Sequence, residues 1–187
     1  MIDFELYFQQ FFARIATGQI EIYNEISLQH EVGIYFRSHL SSDFKIQFER
    51  PVSFFGLLRT NFVKKEIDIA VFTPDHSTKY AIELKYPGNG QYPEQMFKAC
   101  QDMRFLEQLH QGGFTRGFFL IVADDPLFYD RGEKLGIYNY FRRATPIHGI
   151  IPKPTGKSDE FVELEGYYSI VWQAVAASKK YALVAIP

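Results

Sequence analysis

Asp68, Glu83 and Lys85 are the residues of this chain whose types and spacing best suit chemistry. Asp68 lies in Glu66-Ile67-Asp68-Ile69-Ala70-Val71-Phe72, and the other two lie in Lys79-Tyr80-Ala81-Ile82-Glu83-Leu84-Lys85-Tyr86. Both segments read as strands, and the turn residues Thr73 to Thr78 between them predict a hairpin. Side chains alternate faces along a strand, so Asp68 shares a face with Ala70 and Phe72, and Glu83 shares one with Ala81 and Lys85. Opposed residues in an antiparallel pair point the same way. The three groups therefore meet if Asp68 stands opposite residue 83 or 85, the expected register, and separate if it stands opposite Leu84.

Burying unpaired carboxylates is expensive, and one lysine offsets only one of two. Two carboxylates with one ammonium suit a hard divalent cation that prefers oxygen ligands and keeps some of its waters, Mg2+ with Mn2+ as a substitute. The bland alternative is a solvated face on an edge hairpin. Against it stand Ile67, Ile69 and Val71 around Asp68, and the wholly apolar run Gly117 to Ala123, which together predict a sheet covered on both sides.

These strands need elements to hold them. Phe4, Leu6, Tyr7, Phe8, Phe11, Phe12 and Ile15 recur at broadly helical spacing over residues 2 to 16, and Gly18 can end that helix. A second helical pattern over 20 to 40 places Ile22, Ile26, Gln29, Gly33, Phe36 and Leu40 on one stripe, with Glu25, Glu31 and Arg37 elsewhere on the surface. Lys45 to Arg50 alternates as a strand, and Val52 to Leu58 is expected as another after Pro51. From Pro93, Met96, Ala99, Cys100, Met103, Leu106 and Leu109 recur at three and four until Gly112-Gly113, a helix that leaves Lys98, Gln101, Asp102 and Arg104 off its apolar stripe. Gly117 to Ala123 follows as a buried strand. Residues 126 to 187 read as an appended β-rich extension with short strands near 135–141, 147–151, 160–164, 167–175 and 180–186. No composition shift marks a second domain, so residues 1 to 187 are expected to form one.

With 187 residues, 47% of them hydrophobic, the chain can bury a substantial core, which excludes disorder. Twenty basic against 22 acidic residues give a net charge of -2 and no global attraction to a polyanion. The single cysteine, Cys100, cannot close an internal disulfide, and Met1-Ile2-Asp3-Phe4-Glu5 lacks the start of a signal peptide, so a cytoplasmic setting is expected. No apolar run approaches the roughly 20 residues of a membrane span.

At Asp68 and at Glu83-Leu84-Lys85 the chain resembles the PD-(D/E)XK, or restriction-endonuclease-like, nuclease superfamily. The resemblance covers about residues 20 to 125 and implies an α/β fold with a core of helix, three-stranded meander, helix and strand. It departs from the family at Ile67, where the family name has proline. It implies metal-dependent phosphodiester hydrolysis, on DNA in preference to RNA. Asp68 and Glu83 would ligate Mg2+, and Lys85 would orient water or stabilise transition-state charge. A glutamate of the family's first helix is matched best by Glu31, as an outer or second-metal ligand, with Glu25 and Glu21 competing; a polar residue of the later helix is matched by Gln95 or Lys98. The implied partner is nucleic acid, with a second copy of the chain or another protein left open.

Other motifs fail. Gly156-Lys157-Ser158 lacks the first glycine of a phosphate loop and reads as a hairpin turn, and the five histidines have no metal-ligand spacing. Arg142, Arg143, Lys153, Lys157, Lys179 and Lys180, interleaved with Tyr138, Tyr140 and Phe141, could grip phosphates and bases, although plain surface is the favoured reading. Two rivals to the nuclease stand: a PD-(D/E)XK scaffold that has lost cleavage and acts by binding, and a glycosidase using paired carboxylates. The second does not need a lysine two residues from one acid.

Overall fold

Asp3 opens the first helix, α1 (Phe4–Ala16), by accepting the Leu6 N–H on its side chain at 3.0 Å. The computed structural model describes residues 2–88, 90–130, 132–156 and 159–187. Helix α2 (Glu25–His39) starts at a reciprocal cap: Asn24 accepts the Ser27 N–H, and the Ser27 hydroxyl accepts the Asn24 N–H. That cap sets its start at 25, five residues later than the apolar pattern suggests. Gly33 sits inside α2 because the Phe48 ring lies where a Cβ would project, 2.1 Å from it.

Strands β1 (Lys45–Pro51), β2 (Glu66–Phe72) and β3 (Lys79–Lys85) form an antiparallel meander, followed by α3 (Tyr92–Gln111) and by β4 (Arg116–Ala123), which pairs parallel to β3. The strand expected over Val52 to Leu58 is instead a 3-10 turn at Val52–Phe55, with a second at Arg59–Asn61. Pro51 has no N–H to extend a ladder, the Val52 N–H is taken by the Lys65 carbonyl at 3.0 Å, and Gly56 turns the chain at φ +76°.

The last third contains α4 (Ile137–Arg142), β5 (Ile147–Pro152), β6 (Phe161–Tyr168), β7 (Gln173–Ala176) and β8 (Lys179–Ile186). The strand expected at 135–141 is therefore helical. Nor is this region an appended extension. Strand β8 pairs antiparallel with β4 and carries β7 outside it, giving one six-stranded sheet in the order β1-β2-β3-β4-β8-β7, while β5 and β6 form a separate hairpin. The mixed α/β sheet is mostly antiparallel. Alternation along its strands splits the core: Ile69, Val71, Ile82, Leu84, Phe118 and Leu120 face α1 and α2, while Ala70, Phe72, Ala81, Phe119 and Ile121 face α3 and the β5–β6 hairpin. Among the described residues, no helix is long and apolar enough to cross a membrane.

Candidate functional site

Ile69 stands opposite Ile82 and Ala70 opposite Ala81, so the register runs on to set Asp68 against Glu83. There side chains replace the backbone ladder. The Asp68 N–H donates to Glu83 Oε1 at 3.2 Å, and the Leu84 N–H donates to Asp68 Oδ2 at 2.7 Å. Each carboxylate thus spends one oxygen on the partner strand. The other oxygen of each faces the ammonium of Lys64, which lies against Glu83 Oε2 and 3.4 Å from Asp68 Oδ1.

Lys64 also lies 3.0 Å from Asp102 Oδ1 on α3, and Lys85 lies 3.0 Å from Asp102 Oδ2. Asp102 is 3% exposed and bridges the two lysines; its Oδ2 has an ionic contact but no aligned hydrogen bond. Lys85 joins the two strand carboxylates through Asp102, not by an ion pair of its own with them. From the other side of the sheet edge, Glu25 on α2 approaches Lys85 at 3.7 Å and accepts the Tyr86 N–H at 3.0 Å. Gln29, one turn on, donates to the Asp68 carbonyl at 2.9 Å and to Glu49 at 2.6 Å. Glu25, Ile26, Gln29, Glu49, Asp68 and Leu84 line a cleft of about 90 Å³. A larger hollow of about 370 Å³ between α4 and β5 has no carboxylate or lysine in its wall.

The charges perturb one another. Burial, then the neighbouring Asp68, pushes the pKa of Glu83 well above the usual carboxylate range, with Lys64 pulling against them. Asp68 is raised too, by burial opposed by Lys64 and by the Leu84 N–H. For Lys64, burial works against the ammonium, but Glu83, Asp102 and Asp68 outweigh it and its pKa rises; for Lys85, Asp102 and Glu25 do the same. Both lysines stay charged at neutral pH.

Glu31 is not brought to this place. About 100° per residue puts position 31 roughly 200° around α2 from Gln29, on the side away from β2, and Glu31 has no polar contact with Asp68 or Glu83 among the described residues. Glu25, its competitor from the same helix, is the one that arrives. Among the described residues, neither Gln95 nor Lys98 makes a side-chain polar contact with Asp68, Glu83 or Lys85. Lys98 is exposed, and the α3 residue at the site is Asp102, which the helical pattern leaves off the apolar stripe. Helix α3 is covered by the sheet on one side and by the β5–β6 hairpin on the other, so it has little solvated face. Phe97 and Phe105, both buried and both off the expected stripe, carried that signal. Lys64 had only a weak one: a basic residue four places before the acidic strand position.

The basic residues of the last third hold structure instead of forming a free patch. Arg142 donates to the Leu127 carbonyl at 2.9 Å, Arg143 to that of Gly132 at 3.1 Å, and Lys179 to that of Ile22 at 2.6 Å. Lys153 pairs with Glu160 and Glu94, and Lys180 lies 4.0 Å over the Tyr129 ring. Lys157 and Ser158 lie outside the described residues.

Among the described residues, no three Asp, Glu, His or Cys side chains are arranged to enclose a metal ion. Asp68 and Glu83 nonetheless offer a cation two oxygens, and Glu25, Asp68, Glu83 and Asp102 outnumber Lys64 and Lys85 by two charges when all are ionised. That donor set fits one divalent ion held by two carboxylates and water, the manner of Mg2+. No protein-family model, curated protein or solved structure matches the chain.

Proposed function

We propose that this chain is a metal-dependent phosphodiester hydrolase of the restriction-endonuclease-like class, acting on nucleic acid and on DNA in preference to RNA. The observation that carries the reading is the meeting of Asp68 and Glu83 where the β2–β3 ladder opens, with Lys85 fixed beside them by Asp102. The order helix, three-stranded meander, helix, parallel strand, from α2 to β4, supports it as well.

Asp68 and Glu83 would hold Mg2+, or Mn2+ in its place. When bound, the ion polarises the scissile phosphate and lowers the pKa of a coordinated water. Lys85 stays protonated between Asp102 and Glu25, so it donates a hydrogen bond to the attacking water or to the phosphate oxygen that gains charge; it is not a base. Asp102 positions that ammonium. Glu25 ties the start of α2 to the end of β3 through the Tyr86 N–H, which keeps the mouth of the cleft in shape.

With Mg2+ present, the wild type is expected to cleave DNA, and Lys85→Ala to lose about 3 to 4 kcal/mol of transition-state stabilisation while still binding metal. Chelation should abolish the activity. If wild type and Lys85→Ala are equally inert on single-stranded, double-stranded and branched DNA and on RNA, with metal demonstrably bound, the hydrolase reading falls. A non-cleaving nucleic-acid-binding scaffold then takes its place, a reading favoured by one observation, the Lys64 ammonium already seated on both strand carboxylates.

A further inference from the structure

We infer that Lys64 is the resident counterion of the carboxylate site and controls entry of the divalent cation, its ammonium standing where the cation must sit and leaving by side-chain rotation when the cation binds. The inference rests on the metal-dependent reading above. Lys64 meets the oxygens of Asp68 and Glu83 that are not tied to the opposite strand, the same two oxygens a cation would need. An ammonium and a divalent ion on those oxygens would repel strongly at such short range, so the two exclude each other.

The backbone around Lys64 is pinned. The Val63 N–H donates to Gln108 Oε1 at 2.9 Å, and the Lys65 carbonyl accepts the Val52 N–H at 3.0 Å. Exchange therefore needs no loop opening, only a rotation of the Lys64 side chain. That side chain is 28% exposed, against 14% for Lys85, and so has the readier way out to water. Its rotation gives up Asp102 as well as the two strand carboxylates, while Lys85 stays with Asp102, Glu25 and the Leu84 carbonyl. Lys64 acts on the reaction through the metal, as a positioning residue.

The test is calorimetric titration of Mg2+ and of Mn2+ into the wild type and into Lys64→Met, with thermal melts in chelator and in excess Mg2+. Methionine keeps an apolar stem beside Phe105 and removes the charge. Lys64→Met is expected to bind Mg2+ about tenfold tighter or more, within the usual range of coupling between competing ligands. It should also melt below the wild type in chelator and gain more from Mg2+ than the wild type does. A purely structural lysine would lower the melting temperature without tightening the metal. Equal or weaker Mg2+ binding by a folded Lys64→Met overturns the inference and leaves the metal reading standing. If Lys64→Met is unfolded in chelator, refolding on millimolar Mg2+ supports the inference and failure to refold overturns it. If neither protein binds Mg2+ or Mn2+, the metal reading falls and this inference with it.

Discussion

The carboxyl group of Glu83 is fully buried beside Asp68 and Asp102, and burial and Asp68 raise its pKa while Lys64 restrains it. An acid with a raised folded-state pKa stabilises the fold fully below its unfolded value, near 4.3, and that contribution is lost as pH rises through the folded value. Asp68 shifts in the same direction. Carboxylates such as Asp75, pulled down to about 2 by hydrogen bonds from Thr73 and Ser77, act oppositely, but their contribution is lost only as pH falls below about 4. Above the ordinary carboxylate range the buried pair therefore sets the carboxylate slope. In chelator the melting temperature should fall as pH rises out of that range, and Glu83→Gln should flatten the fall; a melting temperature that climbs there instead would contradict the electrostatics described. Asp102 makes a second case. Its removal takes from Lys85 its 3.0 Å partner and from Lys64 one of three carboxylates, and losing one partner of a buried pair costs about 3 kcal/mol. Urea denaturation of Asp102→Ala should register a loss of that order, and Asp102→Asn a smaller one.

At the scale of elements, α2 is held to β1 by a contact that helix propensity alone would forbid. Alanine at position 33 would gain about 1 kcal/mol in propensity, but its Cβ would strike the Phe48 ring at 2.1 Å. Gly33→Ala should accordingly destabilise by about 1 kcal/mol net, since overpacking typically costs 1–3 kcal/mol. The double variant Gly33→Ala/Phe48→Ala should be less destabilised than the sum of the two single variants, and strict additivity in denaturant melts would rule the clash out. The hairpin β2–β3 was legible because alternation and turn residues are local properties. Helix α3 was legible in extent but not in orientation: Met96, Cys100 and Met103 gave its period, while Asp102 is turned to Lys64 and Lys85, from segments 38 and 17 residues earlier in the chain.

For the whole molecule, β8 decides whether the core closes. Its residues Leu183 and Val184 lie against Leu120 and Phe119 of β4, a strand with every residue from Gly117 to Ala123 buried. Removing residues 126–187 would turn β4 into an exposed apolar edge, which favours aggregation over folding. A chain ending at Asp125 should fail to give a cooperative thermal transition or a soluble monomer, and a truncated chain that melts cooperatively would show that the first two thirds fold alone.

The sequence by itself determined the period of each long element, the β2–β3 hairpin with Asp68, Glu83 and Lys85 on its strands, and a sheet apolar on both faces. These follow from interactions between neighbours in the chain, where side-chain alternation and turn chemistry act within a few residues. Tertiary structure alone decided that Glu25, not Glu31, meets the strands, because the rotation of α2 against the sheet is set by long-range packing such as the Gly33–Phe48 contact. It also decided that Asp102 and Lys64 complete the cluster, and that the last third closes the sheet instead of hanging from it. Charge placement of this kind is fixed by long-range packing: a buried ion is tolerated only where distant segments bring its partners, and one chain's local pattern does not say which segments those are.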